Sequence, residues 1–562
     1  MARLVLPVVA ALAFAAHAEP PEEVIADFSA AGFDRRLGPN YSFYHKGERQ
    51  QNFPTIWQPP TKEEVPGRKY EIGGPWSQDA GDFSSTQGQV LYVPDGGGFG
   101  MDRVTILEMA HNTYTESPQP PWHGGTGREP HSLNWPIEKG GSTAVPIHMA
   151  RGKGNWSNCG VAIFSTGLIT TAGTVTAKGT DPILQLPPGK LPTAISVTPK
   201  NEFALVTVYD SKKRIGQVAV VALENGRGFP HEWKDAHPAL CNVGVFSGMK
   251  LLGFVDLPEI TFPTGICATG DSMENRFNGP DGNAGMLSQA DLNEQSWRDS
   301  FLKGANSSYA TKAGYAVVIS KHEQKAAFID LQPLFARVRE LYFTTPENFA
   351  KTRELGPGPK QWPYTFEGEP NWKPKLVKVI DVPTPTAVLA SMGSLGNLRT
   401  IIASLDGKVR MYAVGGLATD ALASADDIRL VGEVVVGRNP VCLAYQRGSS
   451  DTFMTVSRGD REIAWIKYSE NGGQIIRRLR DSRMEDPVCV EQADTHGTDT
   501  QIITVADFKG RKIINYRFDD IVFTTNGGAR FGMGPDGKAE FECGGVMSFP
   551  GNPYCVSSTN VN

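Results

Sequence analysis

The chain has 562 residues, with 55 lysines and arginines against 60 aspartates and glutamates and a formal net charge of −5. A balance this near to neutral gives no electrostatic footprint for nucleic acid or an anionic membrane surface, so neither is expected as a partner. The 61 glycines and 40 prolines favour many short strands joined by tight turns.

Residues 1–18 read as a secretory signal. Arg3 precedes the apolar run LVLPVVAALAFAA (4–16), and Ala16-His17-Ala18 fits the small-x-small cleavage pattern. That run is shorter than the ~20 apolar residues a spanning helix needs, and no later stretch qualifies as a transmembrane segment. The expectation is an exported protein, periplasmic or extracellular, cleaved near Ala18. Export permits disulfides among Cys159, Cys241, Cys267, Cys442, Cys489, Cys543 and Cys555. An odd count leaves at least one thiol outside any intrachain pair. Cys543–Cys555 and Cys241–Cys267 are candidate pairs. The chain has no C-x-x-C and no C-x-x-C-H, which argues against a zinc ribbon, a thioredoxin-like site and covalent haem.

Residues 19–87 form a non-repeating arm. A helix is predicted over 22–31: Pro20 and Pro21 stand at its start, Val24, Ile25 and Phe28 share a face, and Gly32 follows as a C-cap. The aromatic, proline-rich stretch 53–70 is expected to pack over the rest of the molecule, with a partner-binding arm as the alternative.

From residue 88 the chain repeats. GQVLYVPD (88–95) and MDRVTILEM (101–109) predict a hairpin around GGGFG (96–100). A second unit covers roughly 142–178, a third runs through 191–210 and 215–223, and a fourth starts at 251–269 and resumes at 313–321 and 325–331. A fifth covers 377–391, 399–407 and 409–416. The tandem pair in 439–518 shows the unit best. Asn439-Pro440-Val441-Cys442, FMTVSRGD (453–460) and IAWIKY (463–468) recur as Asp486-Pro487-Val488-Cys489, IITVADFKG (502–510) and IINYRF (513–518), 47 residues on. GEVVV (432–436) and IIRRL (475–479), placed before each Pro, supply the fourth strand. Four antiparallel strands at this period are a propeller blade. Asn552-Pro553-Tyr554-Cys555 opens another copy that then stops. Residues 552–560 therefore predict the innermost strand of the blade that holds 88–94 and 102–109, which gives an all-β, seven-bladed β-propeller closed by its C-terminal strand over 88–562. Insertions are expected at 111–141, 271–309 and 332–372. In the last, helices are predicted over 333–343 and from Pro346 to Leu355, with Thr345 as N-cap.

The third unit, PTAISVTPKNEFALVTV (192–208) after a GKLP turn, resembles the repeat of YVTN-type seven-bladed propellers, the broad group of lactonase-like and surface-layer-like proteins. The naming tetrapeptide is absent, with Val206-Thr207-Val208 in its place. The resemblance implies the fold, and no lactonase catalytic residue maps onto this chain.

Candidate chemistry is sparse. His111, His123 and His131 lie in one loop (111–141) with Glu116, Trp122 and Trp135, and converging imidazoles suit zinc or copper. Cys442, Cys489 and Cys555 share one register and are expected to fill equivalent slots between blades, with a thiolate metal site as the alternative. Asn278, Asp281 and Asn283 offer oxygens to calcium, although an Asn-Gly-Pro-Asp-Gly turn explains them more simply. Asp494, His496, Asp499 and the distant Ser557-Ser558 form no recognisable triad motif. The expected function is a binding or scaffold protein with a protein or small-molecule ligand at the propeller face. The alternative is a metal-dependent hydrolase or oxidoreductase with His111, His123 and His131 at the funnel. Catalytic residues and cofactor are not specified by the sequence.

Overall fold

The computed structural model describes residues 182–225, 233–240, 246–272, 277–282, 287–391, 400–419, 421–446, 451–469, 472–492 and 501–510, with Ile147, His148, Ala150, Val161, 163–169, Ile514, Tyr554 and the backbone of the further strands named below. These residues are mostly β, and they form six four-stranded antiparallel sheets, one sheet of five strands and two small two-stranded sheets. In chain order, the first combines Gly88–Pro94, Val104–Glu108 and Thr113–Tyr114 with Ser557–Val561. The second is Pro146–Ala150, Cys159–Phe164, Leu168–Gly173 and Ile183–Gln185. The third is Lys190–Val197, Phe203–Asp210, Ile215–Asn225 and Phe246–Leu257. The fourth is Gly265–Gly270, Gly314–Ser320, Lys325–Asp330 and Lys375–Asp381. The fifth is Pro385–Ala390, Thr400–Ser404, Lys408–Ala413 and Arg429–Val435. The sixth is Pro440–Tyr445, Thr452–Ser457, Glu462–Ser469 and Gly472–Asp481, and the seventh Pro487–Gln492, Gln501–Asp507, Lys512–Phe518 and Glu542–Ser548.

Neighbouring sheets pack face to face. The first strands of the second to seventh sheets lie side by side in sequence order, which makes the arrangement β-propeller-like. The core lies between sheets. Val161, Ile163 and Ile169 of the second meet Ile195, Ala204 and Val206 of the third, and Met454, Val456 and Trp465 of the sixth meet Val490, Ile503 and Val505 of the seventh. A strand covered on both faces should be apolar without alternation. Gly314–Ser320, Thr400–Ser404 and Thr452–Ser457, each second in its sheet, are buried at every residue. The fourth strand of the fourth sheet, Lys375–Asp381, is half-buried and ends on exposed residues. Hairpins between second and third strands turn through a left-handed residue: Arg214, Gln324, Gly407 and Arg461, with φ of 58°, 56°, 83° and 53°.

Sequence expectations fail in the grouping of strands and in one helix; the stretches at 251–257 and 377–381, expected to open the fourth and fifth units, close the third and fourth sheets. The fourth strand follows each unit instead of preceding its Pro: Arg429–Val435 pairs with Lys408–Ala413 of the fifth sheet, and Gly472–Asp481 pairs with Glu462–Ser469. The short 469–472 connection makes an antiparallel hairpin, whereas the run from 481 to 487 crosses to the next sheet. The predicted helix over 22–31 is also replaced, at its start, by the strand Glu22–Ala26, which pairs in parallel with Gly472–Asp481. An open sheet edge offers a ladder of unpaired donors and acceptors, and that outweighs a short helical pattern carrying the β-branched Val24 and Ile25. The rest of the expected helix, the signal at 1–18 and the stretch 53–70 lie outside the described residues.

The polar interruption 271–309 contains an unpredicted helix, Gln295–Leu302, whose Trp297 and Phe301 are buried. It packs near Gln332–Phe343. Pro346–Lys351 is helical as expected, with Thr345 Oγ1 accepting from Asn348 N at 3.2 Å as its N-cap. Around these helices Trp362 Nε1 donates to Tyr342 Oη at 2.9 Å and Tyr342 donates to Pro238 O at 2.8 Å, so these two buried polar tips are satisfied.

Candidate functional site

A cavity of about 410 Å³ runs between the first strands of the second to seventh sheets, and Tyr554 also reaches it. Its wall is built by one repeated device. Five of these strands, beginning at Pro146, near Pro192, and at Pro385, Pro440 and Pro487, skip a register position directly after the proline. Proline has no N–H to give the ladder, so the pairing breaks there at little cost. The bulge residues Ile147, Thr193, Thr386, Val441 and Val488 all line the cavity.

The inner edge of each first strand has no strand partner, so its backbone donors need other acceptors. Side chains of the preceding sheet provide them. Ile195 N donates to His148 Nδ1 at 3.3 Å, Ala268 N to Ser196 Oγ at 2.9 Å, Ala390 N to Cys267 Sγ at 3.2 Å and Val490 N to Cys442 Sγ at 3.4 Å. Hydroxyls extend the pattern. Thr386 Oγ1 donates to Pro440 O, Tyr445 Oη to Ala390 O, and Tyr554 Oη to Ile147 O at 2.8 Å. The result is a wall stitched from sheet to sheet by imidazole, thiol and hydroxyl groups.

Burial governs the ionisation of these groups. It holds His148 below the usual imidazole value, against a smaller opposing effect of Cys489. With Nδ1 accepting, the neutral ring carries its proton on Nε2. Burial also pushes the Tyr445 phenol well up. The Cys442 thiol is pushed well above its ordinary value, first by the neighbouring Cys489 sulfur and then by burial. The two sulfurs are 3.8 Å apart. Glu491 adds a carboxyl group to a lining otherwise rich in Ala, Val and Leu.

The expected register of Cys442 and Cys489 is therefore seen, with both thiols on the cavity wall at the contact between two sheets. Cys267 joins the cavity wall, and neither it nor Cys442 or Cys489 is bonded in a disulfide. Cys159, Cys241, Cys543 and Cys555 have no described side chains. His111, His123, His131, Asp494, His496, Asp499 and Asn283 also lie outside the described residues. The turn before Asn283 is present, closed by Gly282 N to Gly279 O at 3.0 Å with Gly282 at φ 86°. Among the described residues no three His, Cys, Asp or Glu side chains are grouped to hold a metal ion, and no helix is long and apolar enough to cross a membrane. Sequence reading missed His148, Cys267, Tyr445 and Glu491 as cavity groups. The signal for His148 was present: it stands two residues after Pro146, as Cys442 does after Pro440.

No family model and no curated relative matches the sequence. Among solved structures, the chain is similar to the Pseudomonas aeruginosa periplasmic gluconolactonase at 10% identity and a TM-score of 0.42, over 84% of this chain and 99% of that one. It is also similar to Chaetomium thermophilum Sqt1 bound to the N-terminus of the ribosomal protein L10, at 10% identity and a TM-score of 0.34, over 68% of this chain and 73% of that one. Likeness of this degree transfers no activity, and the β-propeller-like architecture rests on the sheets themselves.

Proposed function

We propose that this chain is an exported binding protein built on a seven-bladed β-propeller, closed by its C-terminal strand, and that it holds a small organic ligand in the central cavity. The observation that carries the reading is the cavity itself. At about 410 Å³ it falls in the size range of small-molecule sites, and a mainly apolar lining with a few placed polar groups is what such sites use for affinity and orientation. His148, Glu491 and Tyr554 supply those polar groups. Closure is supported by the pairing of Ser557–Val561 with Gly88–Pro94 and by the Tyr554 bond to Ile147. Export is supported by the sequence of residues 1–18, and Glu19 is expected as the first residue of secreted protein by mass spectrometry.

The test is a thermal-shift screen of small organic acids and amides against the wild type and against Ala387→Trp, which fills the cavity. Hits should raise the wild-type Tm in proportion to the logarithm of ligand concentration and leave the variant unmoved. Equal shifts in both proteins, or none in the wild type, overturn the reading.

A further inference from the structure

Cys442 and Cys489 occupy the same position in consecutive inner strands, two residues after Pro440 and Pro487 and directly after the bulge in each. Their sulfurs are 3.8 Å apart, both side chains are half-buried, and both reach the cavity. Forming a bond of about 2.05 Å needs each sulfur to travel only about 1 Å. The strands themselves are neighbours. Slot-filling and the acceptor role of Cys442 Sγ toward Val490 N each account for one thiol at a time, and neither calls for two sulfurs in contact on a cavity wall.

We propose that Cys442 and Cys489 are a redox modification site, a dithiol that exchanges with a small-molecule disulfide entering the cavity and closes into a disulfide between two neighbouring sheets. Either thiol can attack first as the thiolate; from Cys489, the exchange has two steps. Attack on one sulfur of the external disulfide forms a mixed disulfide on Cys489 and expels one thiolate. Cys442 then attacks the Cys489 sulfur, and the second external thiolate leaves. The protons of Cys442 and Cys489 end on the two released thiols, and the two electrons given up by the protein pair reduce the external disulfide.

The test uses the reduced full chain and 2-hydroxyethyl disulfide, a probe small enough for the cavity. After acid quenching, alkylation and digestion without reduction, mass spectrometry should show a peptide pair joined through Cys442 and Cys489, two hydrogens lighter than the separate peptides and separated again by dithiothreitol. Cys267→Ser should leave that product unchanged. In Cys442→Ser and in Cys489→Ser alike, the remaining thiol should stop at the mixed disulfide. The proposal is overturned if both wild-type thiols stay alkylatable, if each carries a separate 2-mercaptoethanol adduct, or if either is joined to a different cysteine. The wild-type product alone decides the matter should a variant fail to fold.

Discussion

A single imidazole and a single carboxylate carry two testable consequences. His148 is held neutral by burial, so below its ordinary value of about 6.5 the unfolded chain binds a proton that the folded chain resists. Stability from this group is present at pH 8 and is lost as the pH falls through about 6.5, with a slope of at most about 1.4 kcal/mol per pH unit. Urea midpoints taken from pH 8 to pH 5 should fall more steeply for the wild type than for His148→Gln, whose amide oxygen can still accept from Ile195. Parallel curves would show that His148 titrates normally. The second consequence belongs to Asp507, fully buried at the end of its strand. Its carboxylate accepts from Glu485 N at 2.6 Å and from Asp486 N and Gly510 N at 2.9 Å each, which fixes the entry to the inner strand at Pro487. The next link is a two-point ion pair, Arg458 Nε and Nη2 to the Asp486 carboxylate at 2.6 and 2.7 Å, joining the sixth and seventh sheets. Asp507→Ala should cost about 2–4 kcal/mol in urea melts, since it strands backbone donors, while Asp507→Asn should cost less. The prolines that open the inner strands were legible in the sequence as a repeat. The side chains beside them were not legible as a site, because a period of two along one strand does not say which neighbours meet across a cavity.

Strands were easier to read than their grouping. The apolar runs at 203–208, 314–319 and 453–456 stand out because both faces of those strands are covered, but a run says nothing about which hairpin it joins. That is why Arg429–Val435 and Gly472–Asp481 are read from the sequence with the unit that follows each Pro, whereas they close the sheet before it. The strand Glu22–Ala26 illustrates the same limit, since its conformation is set by an edge more than 400 residues away in sequence, with Glu22 opposite Arg477 and Ile25 opposite Arg480. It covers the outer edge of the sixth sheet, and covering an edge blocks pairing with another molecule. A chain beginning at residue 28 should keep its fold and its far-ultraviolet spectrum. It should also self-associate with rising concentration in sedimentation velocity, through the uncovered Gly472–Asp481 edge. If that chain stays monomeric at concentrations where the longer chain does, the strand is dispensable as a cover.

At the scale of the whole molecule, the sheet that joins Gly88–Pro94 to Ser557–Val561 is the one whose strands come from opposite ends of the repeat. Deletion from Asn552 onward removes five paired residues and the Tyr554 bond to Ile147. The loss should reach several kcal/mol, comparable with two large buried side chains at about 2–5 kcal/mol each. That is a large part of a typical net stability of about 5–15 kcal/mol. A thermal melt of the truncated chain should therefore shift down or disappear, and a melt at the wild-type temperature would show that the C-terminal strand contributes nothing. The same pairing sets an order in time. Gly88 pairs with Val561 and Tyr92 with Ser557, so even the nearest partners are 557 − 92 = 465 residues apart. At about 5–20 residues per second of synthesis, roughly 25–90 s pass before Tyr92 can meet Ser557. Through that interval Gly88–Pro94 offers an open edge, and a nascent chain that stops short of Ser557 never loses it. Completion of the last strand thus distinguishes finished molecules from interrupted ones, and fragments ending before it should be the forms that chaperones and proteases remove first.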